Sequence, residues 1–430
     1  MRKTLRTKIL SLLLCLVFVF LCSCNGDLGI KPSGGGTDTE ETQSEGFAVI
    51  GKVSKAYEGI FNGITDIKIT IGEAELATVL DHADAGIYCE CSARIGGTLV
   101  AGIGIKPRGN TNYVTDTGNG RYSFKLKFNK YTKGQKLNGL DELDLNNMSY
   151  DPSYLREYLA YALLSLDSGI AAPLATFAKL YINDEYYGLY LMAECVDESF
   201  LKRCFGDAEG DLYEAGKGSA LISNDLSTFS LERGTDESLS KLTALYNALY
   251  DGGLDDLLDV ESVLRYAAVI SVICGQESYL GPRAESYYLY CDADGEIHMI
   301  PRDFKLSFGT DSEFKKTEYY IDKSYISLSV TEPYFGLNGE DRPLVSRLLE
   351  DPEYNKEYLS YVKYYNDALA EILNKLPELK AAIDGAVKDD PRKFYDISVY
   401  ESEFMDGDTL YGFIKSRCEN VTSQLAEAGK

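Results

Sequence analysis

Histidine occurs only twice in 430 residues, at His82 and His298. Ser-His-Asp catalysis and histidine-based metal sites therefore have almost no material to work with. The chemistry left is that of carboxylates, lysines and backbone amides. In "SFKLKF", Lys125 and Lys127 alternate with Phe124, Leu126 and Phe128. On a strand both lysines leave the face that buries the apolar residues, either toward an anionic ligand or as an ordinary solvated face. "RGN" (Arg108, Gly109, Asn110) could bring a guanidinium and backbone N–H groups to phosphate oxygens. Further along, "IPRDFKLSFG" sets Asp303 between two apolar runs. There it is a metal ligand, the relic of one, or the first acid of a turn.

The elements that must position these groups follow from periodicity. "DIKITIG", "GIYCECSARIGGTLVAGIGIKPRGN" and "RYSFKLKF" alternate apolar and polar residues between glycine-rich turns and predict strands. "DPSYLREYLAYALLSLDSG" predicts a helix capped by Asp151, with Pro152 at its first position and Gly169 past its end. Glu157, just inside that helix, is the candidate ion partner of the strand lysine, or else a plain surface acid. "TFAKLYINDEYYGLYLMAE" predicts two strands joined at Asn183-Asp184. Residues 206–258 read as an irregular insertion rich in Gly and Asp. A helix over about Val260 to Gln276, a hairpin in "SYYLYCDADGEIHMIP" and amphipathic helices in the last 80 residues complete the chain. The expected fold is α+β and two-lobed, with a β-rich part at 47–190 and a mainly helical part at 191–430.

Residues 1–23 read as a secretory signal, with Arg2, Lys3, Arg6 and Lys8 ahead of an apolar run too short for a comfortable membrane span. The run ends in Leu21-Cys22-Ser23-Cys24, which resembles a bacterial lipobox and implies acylation of Cys24. Residues 24–46, almost without apolar content, read as a flexible tether. Without residues 1–23 the chain keeps 39 Lys and Arg, four fewer than the full 43, against 67 Asp and Glu, a formal charge of −28. So acidic a surface argues against nucleic acid and against electrostatic adhesion to anionic lipid, leaving the acyl anchor as the membrane contact. Seven cysteines remain in this body, an odd number without framework spacing. Cys89 and Cys91 share one strand face and cannot readily pair. The sequence specifies no oligomeric state.

Several motifs in order then carry a resemblance: "RGNTNY", "LNNMSYDPSYLREYLAYAL", "LYINDEYYGLYLMAECVDESFLKRCFG" and "YYLYCDADGEIHMIPRDFKLSFG". From about Ile103 to Gly309 the chain resembles the CotH spore-coat kinase family. The resemblance implies an atypical protein-kinase-like fold, ATP with Mg²⁺ or Mn²⁺, and phosphorylation of Ser or Thr on secreted or surface proteins. It implies an adenine site against the backbone near Glu194, Cys195 and Val196, where a strand runs into a hinge. It puts Glu277 where the family has a catalytic Asp, Glu285 or Ser286 where it has an Asn, and Asp303 at the first Asp of a later metal-binding motif. Arg302 stands for that motif's Trp and Lys305 for its second Asp. Glu for Asp moves a carboxylate by about 1.5 Å, and misplacement of that order costs about 100-fold in rate. Lys305 puts a positive charge beside the place a divalent cation would occupy, or neutralises phosphate directly.

Two functions follow. The first is a lipid-anchored extracytoplasmic kinase in which Asp303 holds the metal, Glu277 orients the acceptor hydroxyl, and Lys125 or Lys127 with Arg108 clamps phosphates. The second is a catalytically impaired relative, kept as a surface binding or assembly scaffold. A third, glycan or solute binding, draws on 33 Tyr and 17 Phe. Their strand and helix spacing marks them as core, and Trp, the usual sugar platform, does not occur.

Overall fold

The computed structural model describes residues 54–108, 120–310 and 321–429. The expected signal and tether, Cys24, Gly109 and Asn110 lie outside these residues.

Alternation produces the expected strands. Thr65–Thr70 (β1) buries every second side chain, as do Cys89–Ile95 (β2) and Ser123–Lys127 (β4). With Thr98–Arg108 (β3), Glu142–Asn146 (β5), Ala175–Ile182 (β6) and Glu185–Glu194 (β7) they close a barrel in the order β1-β2-β3-β4-β5-β7-β6. The β6–β1 pairing that closes it is parallel and the others are antiparallel. Ile67, Ile69, Ile95, Ile103, Phe124, Leu126, Leu145 and Met192 fill its interior. The turn between β6 and β7 is built from Asn183 and Asp184, both at positive φ, the conformation a two-residue hairpin needs. Closure leaves the barrel without a free edge.

A second sheet runs β11-β10-β8-β9. The hairpin Tyr287–Cys291 (β10) and Ile297–Pro301 (β11) is where the sequence predicts it, but Asp211–Ala215 (β8) and Phe229–Arg233 (β9) come from the stretch expected to be irregular. That expectation is corrected: β8 is a central strand, and its run "DLYEA" is buried on both faces except at Glu214, so it shows no alternation to detect. Residues Ser240–Asp251 are helical as well.

In chain order the α-helices of the described residues are Glu73–Asp81 (α1), Arg156–Leu166 (α2), Glu198–Phe205 (α3), Ser240–Asp251 (α4), Val260–Ile273 (α5), Pro343–Leu349 (α6), Pro352–Asp389 (α7), Ile397–Ser402 (α8) and Leu410–Ala428 (α9). The 38-residue α7 starts at Pro352 behind Asp351, whose side chain accepts from the N–H groups of Glu353 and Tyr354. It packs on α5 and α9, and α5 is buried along most of its length. The mixed α+β class is as expected.

Helix α2 begins four residues later than Asp151 and Pro152 predict. Tyr154 at φ 61° interrupts the helical path. Asp151 is drawn instead to the buried Arg156, accepting from its backbone N–H and its guanidinium, both at 2.7 Å. The other side of that guanidinium meets Glu403 at 2.8 Å, tying α2 to the turn before α9.

Arg121 makes a second such tie. Its side chain is wholly buried, pairs with Asp390 just past α7, and donates to the carbonyls of Asn147 and Leu189. Removing one partner of a buried ion pair leaves the other charge uncompensated and costs about 3–5 kcal/mol. Asp390→Ala is therefore expected to lower unfolding stability by about that amount, measured by urea denaturation. A loss below about 1 kcal/mol would mean that the pair does not hold the barrel to α7.

Candidate functional site

Two adjoining cavities of about 600 and 450 Å³ lie between the barrel and the second sheet, sharing Arg108, Asn146, Glu214 and Arg302 as a common wall. This size suits a small-molecule ligand.

The larger cavity is floored by one face of β3, β4 and β5. Lys125 faces Asp144 across the β4–β5 pair, and Lys127 faces Glu142. Lys125 lies 3.1 Å from Glu142 and 3.2 Å from Asp144, and donates to the Cys195 sulfur at 3.0 Å. Lys127 pairs with Glu142. At the end of β3, Arg108 donates Nε to Asp144 at 2.8 Å and a terminal nitrogen to Asn146 at 2.5 Å. Asn146 in turn donates to both carboxylate oxygens of Glu157 at 3.1 Å. A continuous relay thus runs Cys195–Lys125–Asp144–Arg108–Asn146–Glu157.

The sequence reading paired the strand lysine with Glu157. In the structure the ion partners of Lys125 are Glu142 and Asp144, on the neighbouring strand. Their signal was present: Glu142, Asp144 and Asn146 alternate with Leu143 and Leu145 in "ELDLN", one more strand with a polar face. A neighbouring strand delivers an acid opposite each lysine in register, which a helix acid cannot match.

The relay sets the ionisation of its members. Burial would lower the Lys125 ammonium, but Asp144, Cys195 and Glu142 outweigh it and hold it well above its ordinary value. Burial would raise Asp144, yet Arg108 and Lys125 keep it below. Burial raises Glu157, and the charge of Asp303 adds to this against Arg108 and Lys305.

At the far wall β7 ends at Glu194, and Glu194, Cys195 and Val196 line the larger cavity. The Glu194 carboxylate is committed elsewhere, accepting from Tyr57, Arg203 and the Leu174 N–H. The Glu194 side chain is thus not available to a ligand, while Val196 lines the cavity half-buried. Asp197 then caps α3, accepting from the N–H groups of Ser199 and Phe200.

The smaller cavity holds the other predicted residues. Glu277, Glu285, Ser286, Asp303, Arg302 and Lys305 all line it, although they come from separate loops. Lys305 Nζ lies 2.7 Å from Glu277 and 2.9 Å from Asp303. Burial would raise the Asp303 carboxyl, but Lys305, Arg108 and Arg302 hold it below its ordinary value. Glu277 is raised, first by burial and then by the Asp303 charge. Asp303 itself sits at φ 59° and Ser286 at φ 60°, a conformation uncommon outside glycine that marks constrained backbone. Arg302 turns to Glu214 and the Tyr288 hydroxyl and stacks on the Tyr288 ring at 4.9 Å. Lys106, Glu214 and Tyr288 are cleft residues the sequence did not nominate. Glu214 and Tyr288 sit on strands without alternation, so only their pairing brings them here.

The family implies a divalent ion, which needs several oxygens at about 2.0–2.1 Å in near-octahedral array. The two carboxylates that would supply them share one ammonium, so the residues as they stand do not fit a metal. A second group, Asp292, Glu296 and His298, has ligand atoms within 4.8 Å of one another. Both ring nitrogens of His298 are engaged there, by Asp259 at 2.9 Å and Asp292 at 3.0 Å, so this group straps the β10–β11 hairpin to the start of α5.

Residues 105–421 match the family model described as CotH kinase protein. Over 311 residues the chain is 25% identical to the inner spore coat protein H of Bacillus subtilis (strain 168), covering 67% of this chain and 79% of that protein.

The raised Glu157 carboxyl has a signed consequence. Between its ordinary value of 4.5 and its higher folded value, the native state binds the extra proton, so this group's contribution to stability falls as pH rises through that window. Glu157→Gln keeps an acceptor for Asn146 and removes the titration. Its melting temperature relative to the parent protein is expected to rise from pH 5 to pH 8. A constant difference across that range would show that Glu157 is charged throughout.

Proposed function

The chain belongs to the CotH kinase family, and on that premise we propose that its cleft binds ATP in the manner of a two-lobed kinase. The barrel would be one lobe, and the second sheet with its helices the other. The adenine would lie against the main chain at Glu194–Val196, and the phosphates toward Lys125, Lys127 and Arg108. Recognition by backbone suits the hinge, because the Glu194 side chain is locked behind it. A cation clamp suits the opposite wall, where Lys125 is held charged and aimed by two acids. The observation that carries this reading is the shared cleft itself: Lys125, Val196, Glu277 and Asp303, far apart in the chain, line two cavities with a common wall.

The activity the family suggests is phosphoryl transfer to Ser or Thr of a secreted or surface protein. Glu277 would orient the acceptor hydroxyl, and Asp303 would face the phosphates. ATP is expected as a Mg²⁺ or Mn²⁺ complex in that reading, although Glu277 and Asp303, both paired with Lys305, do not as they stand fit the metal. The protein would sit on the outer side of a bacterial membrane, anchored through Cys24 alone. No helix among the described residues is long and apolar enough to cross a membrane, and a relative named as a spore coat protein agrees with a surface location.

A second reading is favoured by one observation, the salt bridges of Lys305 to both Glu277 and Asp303. A base and a phosphate-facing acid that neutralise the same ammonium are poorly placed for transfer. The same scaffold would then bind nucleotide and act in assembly at the surface, without turnover.

Both readings require nucleotide binding. Ligand at about 100 times its Kd adds about 2.7 kcal/mol to the native state, which moves the melting temperature by a few degrees in a chain of this size. Such a shift is expected with ATP, and Lys125→Met is expected to abolish most of it. The reading is lost if saturating ATP leaves the parent protein's melting temperature unchanged. Phosphate transfer to a Ser- or Thr-containing protein would then separate the kinase from the scaffold.

A further inference from the structure

We infer that the ammonium of Lys305 is the resident cation of the smaller cavity, standing where a divalent ion would have to bind and excluding it. This deepens the proposed function by giving the phosphate end of that cleft a fixed monovalent charge in place of a metal, and it rests on that reading only for the identity of the ligand.

Three features support it. The first is position. Oxygens of Glu277 and Asp303 both lie within 3 Å of one nitrogen, so any ion bridging the same two oxygens would overlap it. Glu157 lines the same cavity as a third acid.

The second feature is rigidity. Lys305 lies between Phe304 and Leu306, both buried, and the Phe304 ring packs edge-on against Tyr161 at 5.0 Å. The two loops are also joined through the backbone. The Gln276 N–H donates to the Leu306 carbonyl at 3.0 Å, and the Phe308 N–H to the Ile273 carbonyl at 2.8 Å. The acid on one loop and the ammonium on the other are thereby held in register.

The third feature is charge. The Lys305 ammonium is paired with Glu277 at 2.7 Å and Asp303 at 2.9 Å, so its positive charge is compensated where it stands. A divalent ion entering this place would have to displace that ammonium from the two acids already paired with it.

Mn²⁺ titration of the full protein without nucleotide tests this, followed by electron paramagnetic resonance of free Mn²⁺ and by melting temperature. The parent protein is expected to show no Mn²⁺ site that Asp303→Asn removes. Lys305→Ala is expected to gain one, at least tenfold tighter than anything in the parent. Mn²⁺ should then raise the melting temperature of Lys305→Ala but not of the parent. The double variant Lys305→Ala, Asp303→Asn should lose both effects. Lys305→Asp, which adds a carboxylate, is the second route to the same gain if Lys305→Ala does not fold. The inference is overturned by a Mn²⁺ site in the parent that Asp303→Asn removes, or by folded Lys305 variants that gain none. Because no nucleotide is present, failure of ATP to bind would remove the proposed function and leave this result standing. Conversely, ATP binding that needs Mn²⁺ held by Asp303 would overturn the inference and leave the nucleotide reading intact.

Discussion

Arg121 is entirely out of water, and the way its charge is compensated joins the barrel to the chain just past α7. Its guanidinium is held by Asp390, by the carbonyls of Asn147 and Leu189, and by the faces of Tyr154, Tyr190 and Phe394. Those groups belong to β7, to the turn leading into α2 and to the chain just past α7. A buried charge left unpaired is costly enough to unfold a marginal domain, so all these segments must arrive together. Arg156 acts in the same way between Asp151 and Glu403. The cleft lies beside these ties. Its Asn146 precedes the Asn147 that Arg121 holds, and its Glu157 follows Arg156.

The cleft obeys the same constraint with shorter reach. Along the floor, cation and acid alternate from Lys125 through Asp144 and Arg108, each held in its charged form by its neighbour. Where the relay ends the compensation becomes incomplete. Glu157 has an amide donor but no ion pair among the described residues, and its carboxyl is raised accordingly. At Lys305 two acids compete for one ammonium, and the more buried Glu277 is raised while Asp303 is lowered. A site with one retained acid and one added base is thus a different electrostatic object from one with two acids, even on the same backbone.

Backbone strain is gathered at the same place. Cys274, Ala284, Ser286, Asp303 and Phe308 all have positive φ, and all lie in the loops that carry Glu277 and Lys305 or flank them. Each such residue costs of order 1 kcal/mol or more and persists only where its surroundings hold it. Here the two loops are stitched by backbone hydrogen bonds, and Gln276 reaches the Thr310 carbonyl with its side chain. The loops are therefore stiff positioning elements, which suits a site whose acids must meet a cation within 3 Å.

Much of this was legible in the residues alone. Alternation in "SFKLKF" showed that Lys125 and Lys127 leave the apolar face, the run "YYGLYLMAE" marked the strand that ends at Glu194, and a succession of short motifs carried the family. Period and turn chemistry are local, and a local pattern survives in any fold that uses it. The partners of those residues were not legible. Lys125 meets Asp144 rather than Glu157 because of strand register, and β8 escaped notice because a strand buried on both faces does not alternate. The Lys305 exchange was visible as a residue type, but its place between Glu277 and Asp303 was not. That place depends on two loops joined by backbone hydrogen bonds, and backbone groups carry no residue signature. The sequence by itself determined which side chains could carry charge and which face the alternating strands would give them; only the tertiary structure decided which charges would meet and be held, because pairing out of water is settled by distances between segments far apart in the chain.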